Sequence, residues 1–174
     1  MRKFSETILF PFLMNGDSMT ACGYPTEYTQ TNKRRNKMTD KAHKLVSELQ
    51  KAWNNKDWDL LVSNHTDDWI EHNQPEGMNN LEGLHMTFNV FTSAFPDLKF
   101  KPVNIISDDS YVSSQYEITG THTGDFMGMP PTGREVKFRG ITQLRMEKGL
   151  CAEAWTVLDQ MTLMQQLGAV PLPG

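Results

Sequence analysis

His72 lies in the run WIEHNQPEG, residues 69–77, and its imidazole is the side chain of this sequence best suited to proton transfer near neutral pH. Apolar neighbours would hold such a ring neutral, ready to act as a general base. The competing reading is a buried histidine that ties the NQPEG loop to a sheet. Strand alternation puts Glu71 on the opposite side from His72, so the two do not form a dyad. His122, in GTHTGD, suits the backbone groups of a loop, and Asp125 beside it is solvated. Asp159 precedes Met161, Leu163, Met164 and Leu167 at helical spacing, which makes it a helix N-cap, and Gly168 stops that helix. His85 falls on a helix, exposed. His72, His85 and His122 sit in separate elements without ligand spacing, so no metal is expected. The glycines of residues 124–133 join two strands instead of opening a helix, so there is no phosphate cradle, and no cofactor is expected.

The bulk composition narrows the partners. The chain has 174 residues, 38% hydrophobic and 22% charged, with a net charge of -4. That is enough chain for one domain with a real core, and it carries no basic footprint for nucleic acid. Cys22 and Cys151 form neither a disulfide framework nor a CxxC site, consistent with a reducing cytoplasm. Residues 1–37 read differently from the rest. Their apolar run Ile8–Met14 is too short to span a membrane and is broken by Pro11, and the basic run Lys33–Lys37 ends at Met38. We read 1–37 as a flexible leader or an over-long start, and 38–174 as the domain.

The elements that must position these residues follow from the spacing. Leu45, Val46, Leu49 and Trp53 form a helix behind a Thr39/Asp40 cap, and Asp57 caps a second, short helix with Trp58, Leu61 and Val62. After a short strand from Trp69 to Asn73, Asn80 caps a third helix bearing Leu84, Phe88, Phe91 and Phe95, which ends at Pro96. The period then becomes two. Leu98–Ile106, Tyr111–Thr123, Glu135–Met146 and Leu150–Leu158 read as four strands of an antiparallel meander, and helices followed by such a meander give an α+β fold.

In the third of these strands Val136, Phe138, Gly140, Thr142 and Leu144 face one way, and Lys137, Arg139, Gln143 and Arg145 the other. Ala152, Ala154, Thr156 and Leu158 continue the apolar face with small residues. They leave room either for a cavity or for a close helix. The loop GDFMGMPPTG exposes Phe126, Met127 and Met129 between glycines and prolines that forbid helix and ladder alike, so it needs something to cover.

The blocks EHNQPEG, FPDLKF, GTHTGDFMGMPPTGREVKFRG and AEAWTVLDQMTLMQQLG, in this order, resemble the SnoaL-like polyketide cyclases, or ester cyclases, of the nuclear transport factor two-like fold. The resemblance covers Thr39 to about Pro171. It implies a conical, curved antiparallel sheet and three N-terminal helices around an apolar pocket, closed by a short C-terminal helix. The Phe126–Met129 loop would line the pocket mouth or a subunit contact. It also implies cofactor-free proton transfer. The family's acid/base aspartate and its assisting histidine match Thr156 and Thr142 here, hydroxyls that orient a carbonyl but take no α-proton. The related ketosteroid isomerases place a proton-shuttling aspartate near Asn73.

These readings leave two functions. In the first, an enzyme binds a small hydrophobic carbonyl compound, with His72 as catalytic base and Asn73, Thr142, Thr156, Phe138, Phe126 and Met129 contacting substrate; it catalyses cyclisation, isomerisation or dehydration. In the second, the fold is a ligand-binding module without catalysis. Arg139, Glu153 and Trp155 on the outer face, together with the family's habit, give a homodimer as the expected assembly.

Overall fold

The computed structural model describes residues 26–171. Helix α1 (Thr26–Asn55) is followed by α2 (Trp58–Ser63), strand β1 (His65–Glu71) and α3 (Leu81–Ala94). Strands β2 (Lys99–Ser107), β3 (Tyr111–Thr121), β4 (Glu135–Glu147) and β5 (Leu150–Leu158) come next, and α4 (Gln160–Leu167) closes the chain. The α+β class and the conical architecture follow the sequence expectation.

The helix starts show both the reach and the limit of local rules. Asp57 accepts a hydrogen bond from the Leu60 N–H at 2.9 Å, Asn80 from Gly83 at 3.0 Å, and Asp159 from Thr162 at 3.0 Å, so all three are N-caps as expected. Gly168 ends α4 in the left-handed conformation, with φ at +85°. The Thr39/Asp40 cap is corrected, because α1 is helical from Thr26. Between Thr26 and Asn55 the sequence holds no proline or glycine, so nothing stops the helix at residue 39. The leader reading of residues 1–37 therefore ends in helical backbone from Thr26 on. Its remainder, with Cys22 and the Ile8–Met14 run, lies outside the described residues.

The five strands form one curved, unclosed sheet in the order β1-β5-β4-β3-β2. Neighbouring strands are antiparallel except β1, which runs parallel to β5 with a bulge between His65 and Ile70. Burial alternates along β4 as its sequence requires, with Val136, Phe138, Gly140 and Leu144 buried. Asn54 at the end of α1 clamps the other edge, its side chain bonding both the N–H and the carbonyl of Phe100 at 2.7 and 3.1 Å.

The Gly/Pro loop turns at Met127 and Gly128, both at positive φ, and Phe126 and Met129 exchange backbone hydrogen bonds of 3.0 Å. This tight turn drives Phe126 inward, 2% exposed, against Phe91 and Phe95, and leaves Met127 outside. The loop base docks on α3, with Thr123 and Gly124 both donating to the Ala94 carbonyl. A Cβ at Gly124 would lie 2.2 Å from the Ser93 carbonyl oxygen, so only glycine allows that approach. His122 is fully buried below it, bonded to Thr132 through Nδ1, a loop histidine as read from the sequence.

Candidate functional site

A cavity of about 170 Å³ lies between α1, α3 and the inner face of the sheet. Its walls are mostly apolar: Val46, Leu49 and Trp53 from α1, Leu84 and Phe91 from α3, and Ile118, Leu144, Ala154 and Leu158 from the strands. The small residues of β5 thus leave room for a cavity at Ala154.

One polar group dominates this apolar space. The Glu71 carboxylate, at the end of β1, lines the cavity and is only 6% exposed. Its Oε1 accepts the backbone N–H groups of Thr156 at 2.9 Å and Asn73 at 3.2 Å, and its Oε2 accepts the Thr156 hydroxyl at 2.7 Å. Thr156 Oγ1 lies 3.1 Å from Thr142 Oγ1, which lies 2.9 Å from the Tyr116 hydroxyl. Since each hydroxyl has one proton and Thr156 gives its own to Glu71, Thr142 donates to Thr156 and Tyr116 to Thr142. All three protons therefore point toward the carboxylate. One acceptor position, on Oε2, is left over.

Tyr116 reaches this chain because its cross-strand partner is Gly140. A Cβ there would lie 2.6 Å from the Tyr116 ring, so glycine lets the ring lie flat across β4. Burial is the main cause that pushes the Tyr116 hydroxyl up to about 12, so the group keeps its proton.

A second titratable group lines the cavity. His65, 9% exposed, holds Nδ1 2.8 Å from the Leu61 carbonyl oxygen, and its ring stands edge-on to Trp69. Burial pushes its pKa down to about 4, against the smaller opposing pull of that hydrogen bond.

The structure distributes the expected site residues unevenly. Thr142 and Thr156 are brought together on the cavity wall. Asn73 stays outside it, bonding the Thr156 carbonyl with its side chain and Glu71 with its N–H. Phe138 and Phe126 belong to the core under α4, and Met129 packs at the edge of that core, not against the cavity. His72 is on the outer face of the sheet, stacked on Trp155 at 4.5 Å and 2.7 Å from Glu153. Its hydrogen bond and that of Arg145 hold the Glu153 carboxyl below the usual carboxylate range. The reason is strand parity. Trp69 and Glu71 face in, so Ile70 and His72 face out.

Sequence reasoning passed over Glu71, Tyr116 and His65. The signal for Glu71 was present: Trp69, the largest apolar residue of the strand, marks the inner side, and Glu71 lies two positions on. Tyr116 had a similar marker in Val112 and Ile118. His65 lies before the bulge, where period two fails.

A curved, unclosed sheet covered by helices around an apolar cavity is the nuclear transport factor two-like fold. The SnoaL-like polyketide cyclase family matches residues 43–167, and the chain belongs to that family. Solved structures agree. AclR from Streptomyces galilaeus, a proposed hydroxylase, is 26% identical, with a TM-score of 0.69 over 79% of this chain and 86% of its own. IdmH from Streptomyces antibioticus, a proposed polyketide cyclase, is 26% identical, with 0.65 over 73% and 98%. A SnoaL-like polyketide cyclase from Agrobacterium tumefaciens shares the fold at 23% identity, with 0.61 over 73% and 98%. No curated protein matches the chain. Among the described residues, no helix is long and apolar enough to cross a membrane.

Proposed function

We propose that the protein is an enzyme that removes a proton next to the carbonyl of a small hydrophobic compound held in the cavity, using no cofactor, with Glu71 as the base. The observation that carries this reading is the buried Glu71 carboxylate, joined to Tyr116 through Thr156 and Thr142. The free position on Oε2 takes the proton, the C–H bond breaks, and its electron pair moves onto the carbonyl oxygen as an enolate. Negative charge has then left Glu71 for that oxygen. Once the new Glu71 O–H rotates to donate to Thr156, the three hydroxyl dipoles turn, and Tyr116 donates to the enolate instead of to Thr142. Thr156 and Thr142, which match the family's acid/base aspartate and its assisting histidine, act in this scheme as the link between base and oxyanion donor. Return of the Glu71 proton at another atom gives isomerisation, its transfer to the alkoxide formed by attack on a second carbonyl gives ring closure, and its transfer to a β-hydroxyl that leaves as water gives dehydration.

The test is deuterium incorporation at the α-carbon of 1-tetralone in heavy water, followed by proton NMR. Catalysed exchange is expected. Binding of the ketone without exchange would overturn the enzyme reading in favour of a ligand-binding module of the same fold.

We also propose a homodimer through the outer face of the sheet. Ile141 and Val157 pair across β4 and β5 there, 48% and 63% exposed, beside the His72–Trp155 stack. Arg145 with Glu153, and Lys137 with Glu117, pair within the face. A second copy covers such a surface. Sedimentation velocity should give a dimer that Val157→Asp converts to a monomer. A wild-type monomer at tens of micromolar, a concentration set for the test, would refute it.

A further inference from the structure

His65 has no part in the proton transfer above, yet it faces the same cavity. The Leu61 carbonyl can only accept, so Nδ1 must carry the proton of the ring, and Nε2 is left with a lone pair. Among the described residues no hydrogen bond to Nε2 is seen, and Nε2 is not one of the fully buried unpaired side-chain atoms, so it borders open space. Three polar atoms of other cavity-lining residues are buried without a partner: the Gln50 side-chain amide nitrogen, the Ser114 hydroxyl and the Trp69 indole nitrogen. Unpaired polar atoms in an apolar wall are costly in the empty protein, and a bound molecule that pairs them recovers that cost.

We propose that His65 is a specificity-determining residue: its neutral Nε2 accepts a hydrogen bond from a hydroxyl group of the ligand, which carries this hydroxyl in addition to its carbonyl. The inference rests on the reading that the cavity takes a carbonyl compound, but not on Glu71 being a base. Burial pushes the pKa of His65 down to about 4, so near neutral pH the ring is uncharged and the acceptor is present. The edge-on contact with Trp69 and the Nδ1 bond fix the plane in which the lone pair points. A site built to pair a hydroxyl discriminates against the analogue without it, because the bound analogue then covers the acceptor and leaves it unpaired. Ser114 and Gln50 supply the complementary donors, suited to an oxygen that accepts.

Isothermal titration calorimetry of the whole chain with 1-tetralone and its 5-, 6- and 7-hydroxy derivatives tests this. At least one hydroxy isomer should bind about tenfold more tightly than 1-tetralone, the yield of one net hydrogen bond. His65→Phe, which keeps a ring but no acceptor, should erase the preference, and the Leu61 carbonyl stays paired there through Asn64. His65→Gln, which keeps an acceptor, should retain part of it. In the wild type, imidazole 15N NMR should show Nε2 of His65 shifting with the hydroxy isomer and not with 1-tetralone, a readout that survives even if a variant misfolds. No isomer binding more tightly than 1-tetralone, or a preference that persists in a folded His65→Phe, or an unmoved Nε2, overturns the assignment. Proton exchange is read separately, so hydroxyl preference without exchange would remove the proposed base and leave His65 standing.

Discussion

Glu71→Gln should lower α-proton exchange in 1-tetralone by about a hundredfold to ten-thousandfold, the usual cost of losing one general base. The substitution keeps shape and one acceptor oxygen, so the N–H groups of Asn73 and Thr156 remain paired. It changes what Thr156 meets. An amide nitrogen in place of Oε2 donates, so the Thr156 proton turns to Thr142, the Thr142 proton to Tyr116, and the Tyr116 proton into the cavity. The variant thus mimics the enzyme after proton abstraction. Ketone affinity should rise as exchange is lost, because the wall now offers a donor to the carbonyl oxygen. Calorimetry and NMR exchange on one protein sample read both effects. Exchange undiminished by Glu71→Gln would place the base elsewhere. Lost exchange with weaker ketone binding would refute the reversal of the hydroxyl chain while leaving Glu71 as the base.

Most of the fold was legible because its signals are local. Asp57, Asn80 and Asp159 cap helices that begin one residue later, and the period-two runs give β5 to the residue and β4 to within one. What needed three dimensions was the partner of each face. The parallel pairing of β1 with β5 joins residues more than eighty positions apart, and nothing within WIEHNQPEG announces it. Given that pairing, the Thr156 N–H and hydroxyl come to Glu71, and the threonines acquire a carboxylate that their own strands lack. His72 attracted attention through its side-chain chemistry, but a strand sorts residues by parity before chemistry, and Trp69 had fixed the parity. The Phe126 loop shows the same limit. Its apolar residues do need cover, and the core beneath α3 and α4 supplies it for Phe126, a destination that spacing alone does not distinguish from a ligand pocket.

That distinction can be measured at Phe138, expected from its strand face to contact substrate and found 2% exposed in the core. Its ring pairs across the sheet with Ile118 and packs in one cluster with Phe95, Phe126, Leu163 and Leu167. Helix α4 covers this cluster and is held to β4 by Gln166, whose side chain bonds the N–H and the carbonyl of Lys137 at 2.6 and 2.8 Å. Those bonds restrain α4 from settling into a gap, so Phe138→Ala should leave most of the vacated volume open. The cost of a buried Phe→Ala change, about 3 to 5 kcal/mol, should then be paid nearly in full. For a domain of this size it lowers the unfolding midpoint by roughly 6 to 20 °C. Affinity for 1-tetralone, measured well below that midpoint, should change by less than about threefold, since a residue that touches no ligand contributes no hydrogen bond or contact whose loss would cost more than a fraction of one net bond. Urea unfolding gives the stability and calorimetry the affinity. A stability loss below about 1 kcal/mol would mean that the cluster is not close-packed around Phe138, and a fall in affinity of tenfold or more would restore Phe138 to the ligand-binding wall.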